Sequence, residues 1–122
     1  MTRPLDWQMA LKNVEDSEEL LLELAQVFIE TSPDMMMEIC QAIDSGNAGN
    51  LNRAAHNLKG AARVFAAGPV VEHALQLEEM GAAGDLRGAD EKYAGLEPQV
   101  TQLTLALTER LERARTGQNN GT

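Results

Sequence analysis

The chain has 122 residues, of which 43% are hydrophobic but only 3% aromatic, and 19 acidic side chains against 10 basic ones give a formal net charge of -9. That length allows one domain around a single core, and a core drawn from Leu, Ala, Val, Ile and Met favours helices over sheets. The acidic balance, without a Lys/Arg-rich stripe, argues against a nucleic-acid partner.

The start, Met1-Thr2-Arg3-Pro4, leads into a polar, Trp-containing stretch and not a signal-peptide core, and the apolar runs are too short to span a bilayer. These features point to a cytoplasmic protein with no direct membrane contact. A short helix within Leu5–Leu11 is expected to cap one end of the molecule. Asp16-Ser17-Glu18-Glu19 opens the next helix, with a capping-box spacing from Asp16 to Glu19. Leu20, Leu21, Leu24, Val27 and Phe28 then follow the i, i+3, i+4, i+7 spacing of an amphipathic helix through Glu30.

Ser32-Pro33-Asp34 reads as an N-cap with proline at the first helical position, so a new helix is expected there, carrying Met36, Ile39, Cys40 and Ile43 to Ser45-Gly46. A further helix is expected from Ala48 to Ala66, and Gly68-Pro69 restarts one that ends near Gly81. Asp85 caps a last helical region containing Leu86, Tyr93, Leu96, Val100, Leu103, Leu107 and Leu111, which Gly95 and Pro98 should kink or split. Short connections at Thr31-Ser32 and Gly81 to Gly84 set sequential helices antiparallel. The expected architecture is all-α: an up-down four-helix bundle over residues 1–115, with a short N-terminal helix and a kinked or split C-terminal region. Residues 116–122 have nothing apolar to bury and are expected to form a disordered tail.

At about 100° per residue, Leu51, Ala54, Ala55, Leu58, Ala62 and Phe65 share one apolar sector of the Ala48–Ala66 helix. His56, Lys59, Gly60, Arg63 and Asn52 fall opposite, and Arg53 lies on the flank. His56 therefore projects into solvent with Lys59, Gly60 and Arg63 at i+3, i+4 and i+7, a local basic patch on an acidic protein. An exposed imidazole is a competent phosphoryl acceptor near neutral pH, and a lysine one turn away can offset phosphoryl charge. Glycine inside a helix costs about 1 kcal/mol relative to alanine. The compensation is close approach of another macromolecule to the histidine.

Ala54-Ala55-His56-Asn57-Leu58-Lys59-Gly60 resembles the phosphorylation motif of histidine-containing phosphotransfer (HPt) domains. Leu5-Asp6-Trp7, Glu19 to Phe28, Ser45-Gly46-Asn47 before Leu51, Leu77-Glu78 and Gly84-Asp85-Leu86 extend the resemblance over nearly the whole chain. The resemblance implies a carrier that is not itself an enzyme. His56 accepts a phosphoryl group from a response-regulator receiver aspartate and passes it to a second receiver, with Lys59 as charge partner and Gly60 as the clearance residue. Asn52, Arg53 and Arg63 are candidates for partner docking. The partners implied are receiver domains and a sensor or hybrid histidine kinase, of which the chain could be the C-terminal domain. The domain itself needs no cofactor, and Mg²⁺ is expected on the receiver. Ala61 stands where the family often has Ser, and Ala66 where it often has Gly.

Other readings are blander. His73, flanked by Val70, Ala74 and Leu77, reads as a partly buried structural residue, and Met35-Met36-Met37 as core packing plus one exposed Met. The lone Cys40 cannot form an internal disulfide. Neither histidine has glutamate at i-3, so no Glu-x-x-His metal motif exists and no metal is expected. The alternatives from another class are a helical adaptor that binds partners without being phosphorylated and a dimerisation bundle.

Overall fold

The computed structural model describes residues 3–120, and the side-chain surroundings of 3–117. Five helices follow in order: α1 (Trp7–Asn13), α2 (Glu18–Asp44), α3 (Ala48–Arg63), α4 (Gly68–Ala83) and α5 (Ala89–Asn120). The last four form an all-α bundle in which α2 packs on α3, α3 on α4, α4 on α5 and α5 back on α2. The joints at 45–47, 64–67 and 84–88 are too short for anything but antiparallel neighbours. Among the described residues, no helix is long and apolar enough to cross a membrane.

At about 1.5 Å per residue, α2 and α5 outreach the 16-residue α3 and α4 by some turns. The short α1 fills part of the gap where α3 ends. Asp6 N–H donates to the Phe65 carbonyl (3.2 Å). Asn13 Nδ2 donates to the carbonyls of Arg63 (3.3 Å) and Val64 (3.1 Å), which have no partner inside a helix that has just stopped. Trp7 is buried beneath the Arg110 guanidinium, 4.9 Å from the ring centroid. Leu21, Phe28, Ile39, Leu51, Leu58, Phe65, Val70, Leu77, Leu96, Leu103 and Leu107 fill the core, and Phe28 meets Phe65 edge to face at 5.7 Å.

The structure corrects several expectations. The predicted break at Ser32-Pro33 is absent, since α2 runs through Pro33 to Asp44. Nor is α5 split at Gly95 or Pro98. Each proline removes one backbone donor, but Pro33 and Pro98 both sit on the wet side of their helices. The carbonyl each leaves unpaired lies beside it, within reach of water, while the opposite face stays packed. Gly95 makes room for a neighbour: a Cβ there would stand 3.3 Å from His73 Cδ2. Ser17, not Asp16, caps α2, its Oγ accepting from Leu20 N–H (3.2 Å).

Gly81 lies inside α4, which Gly84 ends instead, and α5 starts at Ala89 because Asp85 is occupied by Arg87 in the connecting turn. That exposed pairing holds the Asp85 carboxyl at about 2. Residues 116–120 continue α5, where a disordered tail is expected from composition, because extending a formed helix is far easier than starting one. Residues 121 and 122 lie outside the described residues.

Ala66 carries a left-handed backbone, φ +50°. It occupies the place in the α3 terminus that Gly84, φ +71°, occupies in the α4 terminus. The following amide reaches back in both, Ala67 N–H to Ala62 O (3.2 Å) and Asp85 N–H to Met80 O (3.1 Å). A Cβ in this conformation costs roughly 1–2 kcal/mol, offset in part by the extra unfolded freedom of glycine. Ala66→Gly is therefore expected to raise unfolding stability by about 0.5–1 kcal/mol in urea titration; a loss of stability would contradict the left-handed assignment.

Candidate functional site

Asn47 starts α3, its side chain accepting from Asn50 N–H at 3.0 Å. From there the sequence phase holds: Leu51, Ala54, Ala55, Leu58 and Ala62 are buried, with Phe65 just beyond the helix. Arg53, His56, Asn57, Gly60 and Arg63 are exposed. The His56 side chain keeps 62% of its surface accessible, and a Cβ on Gly60 would meet nothing within 4 Å. The opening beside the imidazole thus faces solvent.

Two residues placed on the open sector lie elsewhere. Lys59 is buried, its side chain only 9% exposed, and Asn52 is half-buried. Both sit at the edge of the apolar sector, on the side that α4 covers. There they meet Glu78, the residue of the site that sequence reasoning did not single out. Asn52 Nδ2 donates to the Glu78 backbone carbonyl at 2.9 Å. His56 Nδ1 lies 2.8 Å from Glu78 Oε2, and Lys59 Nζ lies 2.5 Å from Oε1. One acidic residue on α4 therefore engages three residues at i, i+4 and i+7 along α3. Asn52 is an interhelical clamp more than a free docking group, and Arg53 and Arg63 remain on the open surface.

The register comes from Gly81, one turn further along α4. Its Cα packs so closely on α3 that an added Cβ would lie 2.5 Å from Asn52 N and 2.7 Å from Ala48 O. Only glycine admits that approach, and it carries Glu78 within reach of His56. Counting equally from the two ends of the short 64–67 connection pairs Glu78 with Arg53, one turn from His56, so hairpin geometry brings Glu78 near the site without singling it out.

The Lys59 ammonium against Oε1 holds the Glu78 carboxyl below its ordinary range; burial opposes this, and the His56 hydrogen bond adds to it. A carboxylate at 2.8 Å accepts a hydrogen bond from Nδ1–H, and this fixes the tautomer: Nδ1 carries the proton, and Nε2 presents a lone pair. His73 contrasts in exposure and in its acceptor. It is half-buried, its Nδ1 donates to Pro69 O (2.8 Å), and its ring lies against Gly95. Cys40 is half-buried with Sγ 3.8 Å from Asp44 Oδ2, and burial first, then Asp44, pushes its thiol up. A shallow groove between α2 and α3, lined by Glu38, Gln41, Ser45, Asn50 and Arg53, borders the site.

A family model described as Hpt domain matches residues 23–117. Among solved structures, the chain is similar to histidine-containing phosphotransfer protein B from Pseudomonas aeruginosa PAO1, with TM-score 0.84 and 21% identity over 93% of this chain and 98% of that one. It is also similar to the HPT domain of a sensor hybrid histidine kinase from Shewanella, with TM-score 0.77 and 17% identity over 90% of this chain and 95% of that one. At these identities the likeness speaks for the fold. No match is found among curated proteins.

Proposed function

Starting from a chain that belongs to the Hpt domain family, we propose that it carries a phosphoryl group on His56 Nε2, taken from the aspartate of one receiver domain and given to that of another. The observation that carries this reading is the exposed imidazole whose Nδ1 is engaged by Glu78 at 2.8 Å, leaving Nε2 as the nucleophile.

The step balances without a proton transfer. The Nε2 lone pair forms the P–N bond while the acyl-phosphate P–O bond breaks, and its electron pair returns to the receiver aspartate. The ring, with hydrogen still on Nδ1, gains positive charge that Glu78 faces. The reverse hands the group on. The receiver brings Mg²⁺ and its acidic pocket; this domain brings the nucleophile. Docking uses the exposed α3 face with Arg53 and Arg63 and the adjoining face of α2. A free carrier and the C-terminal domain of a hybrid sensor kinase use the same chemistry; the Shewanella relative is the HPT domain of a sensor hybrid histidine kinase. A cytoplasmic location goes with that partner class.

The test is incubation with phosphorylated receiver domains, reading acid-labile, base-stable phosphate on this chain by Phos-tag gel. Label that appears and then passes to a second receiver supports the carrier. Its absence across a panel of receivers favours the binding-only adaptor.

Gly60 separates function from folding. Alanine there clashes with nothing and removes a helix-interior glycine, so Gly60→Ala is expected to gain up to about 1 kcal/mol in stability. It is also expected to accept phosphate from a receiver more slowly while reacting normally with the small donor phosphoramidate. Equal slowing with both donors would contradict the clearance role.

A further inference from the structure

Lys59 was expected to act as a solvent-facing charge for the phosphoryl group. Its position says otherwise. The side chain is 9% exposed, and its ammonium lies 2.5 Å from Glu78 Oε1, an oxygen shut off from solvent. The second oxygen of the same carboxylate takes His56 Nδ1. Moving Lys59 to the phosphoryl group would strand that enclosed oxygen without its cation, a costly arrangement in a half-buried site.

We propose that Lys59 acts through Glu78: by partly neutralising the carboxylate that holds Nδ1–H, it sets how long phosphorylated His56 survives. The inference rests on His56 being the acceptor. It makes Lys59 a positioning residue, one that touches the reacting ring only by way of the glutamate.

The chemical link is the leaving group. When the P–N bond breaks, its electron pair goes to Nε2, and the new P–O bond forms to a receiver carboxylate or to water, which then releases a proton to solvent. With hydrogen on Nδ1 the departing ring is neutral imidazole; without it the ring would have to leave as an anion, which is far slower. Glu78 favours the proton on Nδ1, and Lys59 competes for the same carboxylate. In alkaline buffer, where the ring that has lost Nδ1–H is the slow-leaving form, taking away the lysine charge strengthens the hold on Nδ1–H and makes the phosphohistidine more labile. A lysine acting directly on phosphoryl oxygens predicts the opposite sign, because bond cleavage would lose a stabilising charge.

The experiment loads wild type, Lys59→Met, Lys59→Arg, Glu78→Gln and the Lys59→Met/Glu78→Gln double variant with phosphoramidate. Decay of label is then followed in mildly alkaline buffer, with circular dichroism confirming helix content. Lys59→Met is expected to shorten the lifetime by about fivefold, a coupling typical of contacting residues. Lys59→Arg should restore it, and Lys59→Met should change nothing further in the Glu78→Gln background. A lengthened or unchanged lifetime in Lys59→Met, or the same effect with Glu78 absent, overturns the proposal.

If Lys59→Met loses helix content, Lys59→Gln replaces it. On unphosphorylated protein labelled with ¹⁵N-histidine, the Nδ1–H proton resonance should move downfield in Lys59→Met and stay put in the Glu78→Gln background. A shift that persists without Glu78 also overturns it. This arm needs no label, so failure of wild type to accept phosphate counts against His56 as carrier and not against the lysine–glutamate link.

Discussion

Gly81→Ala should lower the unfolding free energy by about 3 kcal/mol, the upper end of the range for forcing one extra carbon into a packed contact. The added Cβ would lie 2.5, 2.7 and 2.8 Å from Asn52 N, Ala48 O and Asn52 Cα. All three are backbone atoms of α3, so no side chain can rotate away, and the helices must separate or α4 must slide. Either response displaces Glu78, one turn earlier on α4, from His56 and Lys59. The variant should therefore show two defects together: a lower urea midpoint, and loss of the histidine Nδ1–H signal characteristic of the Glu78 contact. A change within about 0.5 kcal/mol, the range of ordinary surface substitutions, would contradict the α3–α4 contact at Gly81.

His56→Gln should do the reverse, removing all phosphoryl uptake while leaving stability within about 0.5 kcal/mol of wild type. The side chain is 62% exposed and fills no core space; its one polar contact is with Glu78. An amide nitrogen has no nucleophilic lone pair, so nothing at position 56 can replace Nε2. His73 offers no bypass, being half-buried with the Nε2 edge of its ring against Gly95 of α5. Uptake by His56→Gln at the wild-type rate would move the acceptor to another side chain. A large loss of stability would contradict the exposed placement.

Much of this was legible in the sequence because it depends on one helix at a time. The spacing of Leu51, Ala54, Ala55, Leu58 and Ala62 fixes which face of α3 is buried, and from that His56 and Gly60 must face water. The bundle itself follows from apolar periodicity and short joints.

What depends on two helices was not legible. The angle of Lys59 about α3 is known from its number, but whether that flank is open or covered depends on where α4 crosses. That crossing is set by the backbone contact at Gly81, a residue read instead as a helix end. Glu78 was visible only as part of a resemblance, because an acidic residue on an amphipathic helix has no sequence mark of facing a histidine 22 positions away. Pro33 misled as a helix break and Pro98 as a split for a related reason: both lie on solvent faces, where water can take the carbonyl each frees while the packed face holds the helix together. By the resemblance Ala66 stands where glycine is often found, and its φ of +50° gives such a replacement a physical cost.

The central claim is that the phosphoryl group sits on Nε2 of His56 with hydrogen retained on Nδ1. The most direct test is phosphorus–nitrogen correlation NMR on ¹⁵N-histidine protein loaded by a phosphorylated receiver. Coupling of phosphorus to His56 Nε2, with the proton still on Nδ1, is the predicted result. Coupling to Nδ1, or to either nitrogen of His73, would contradict it.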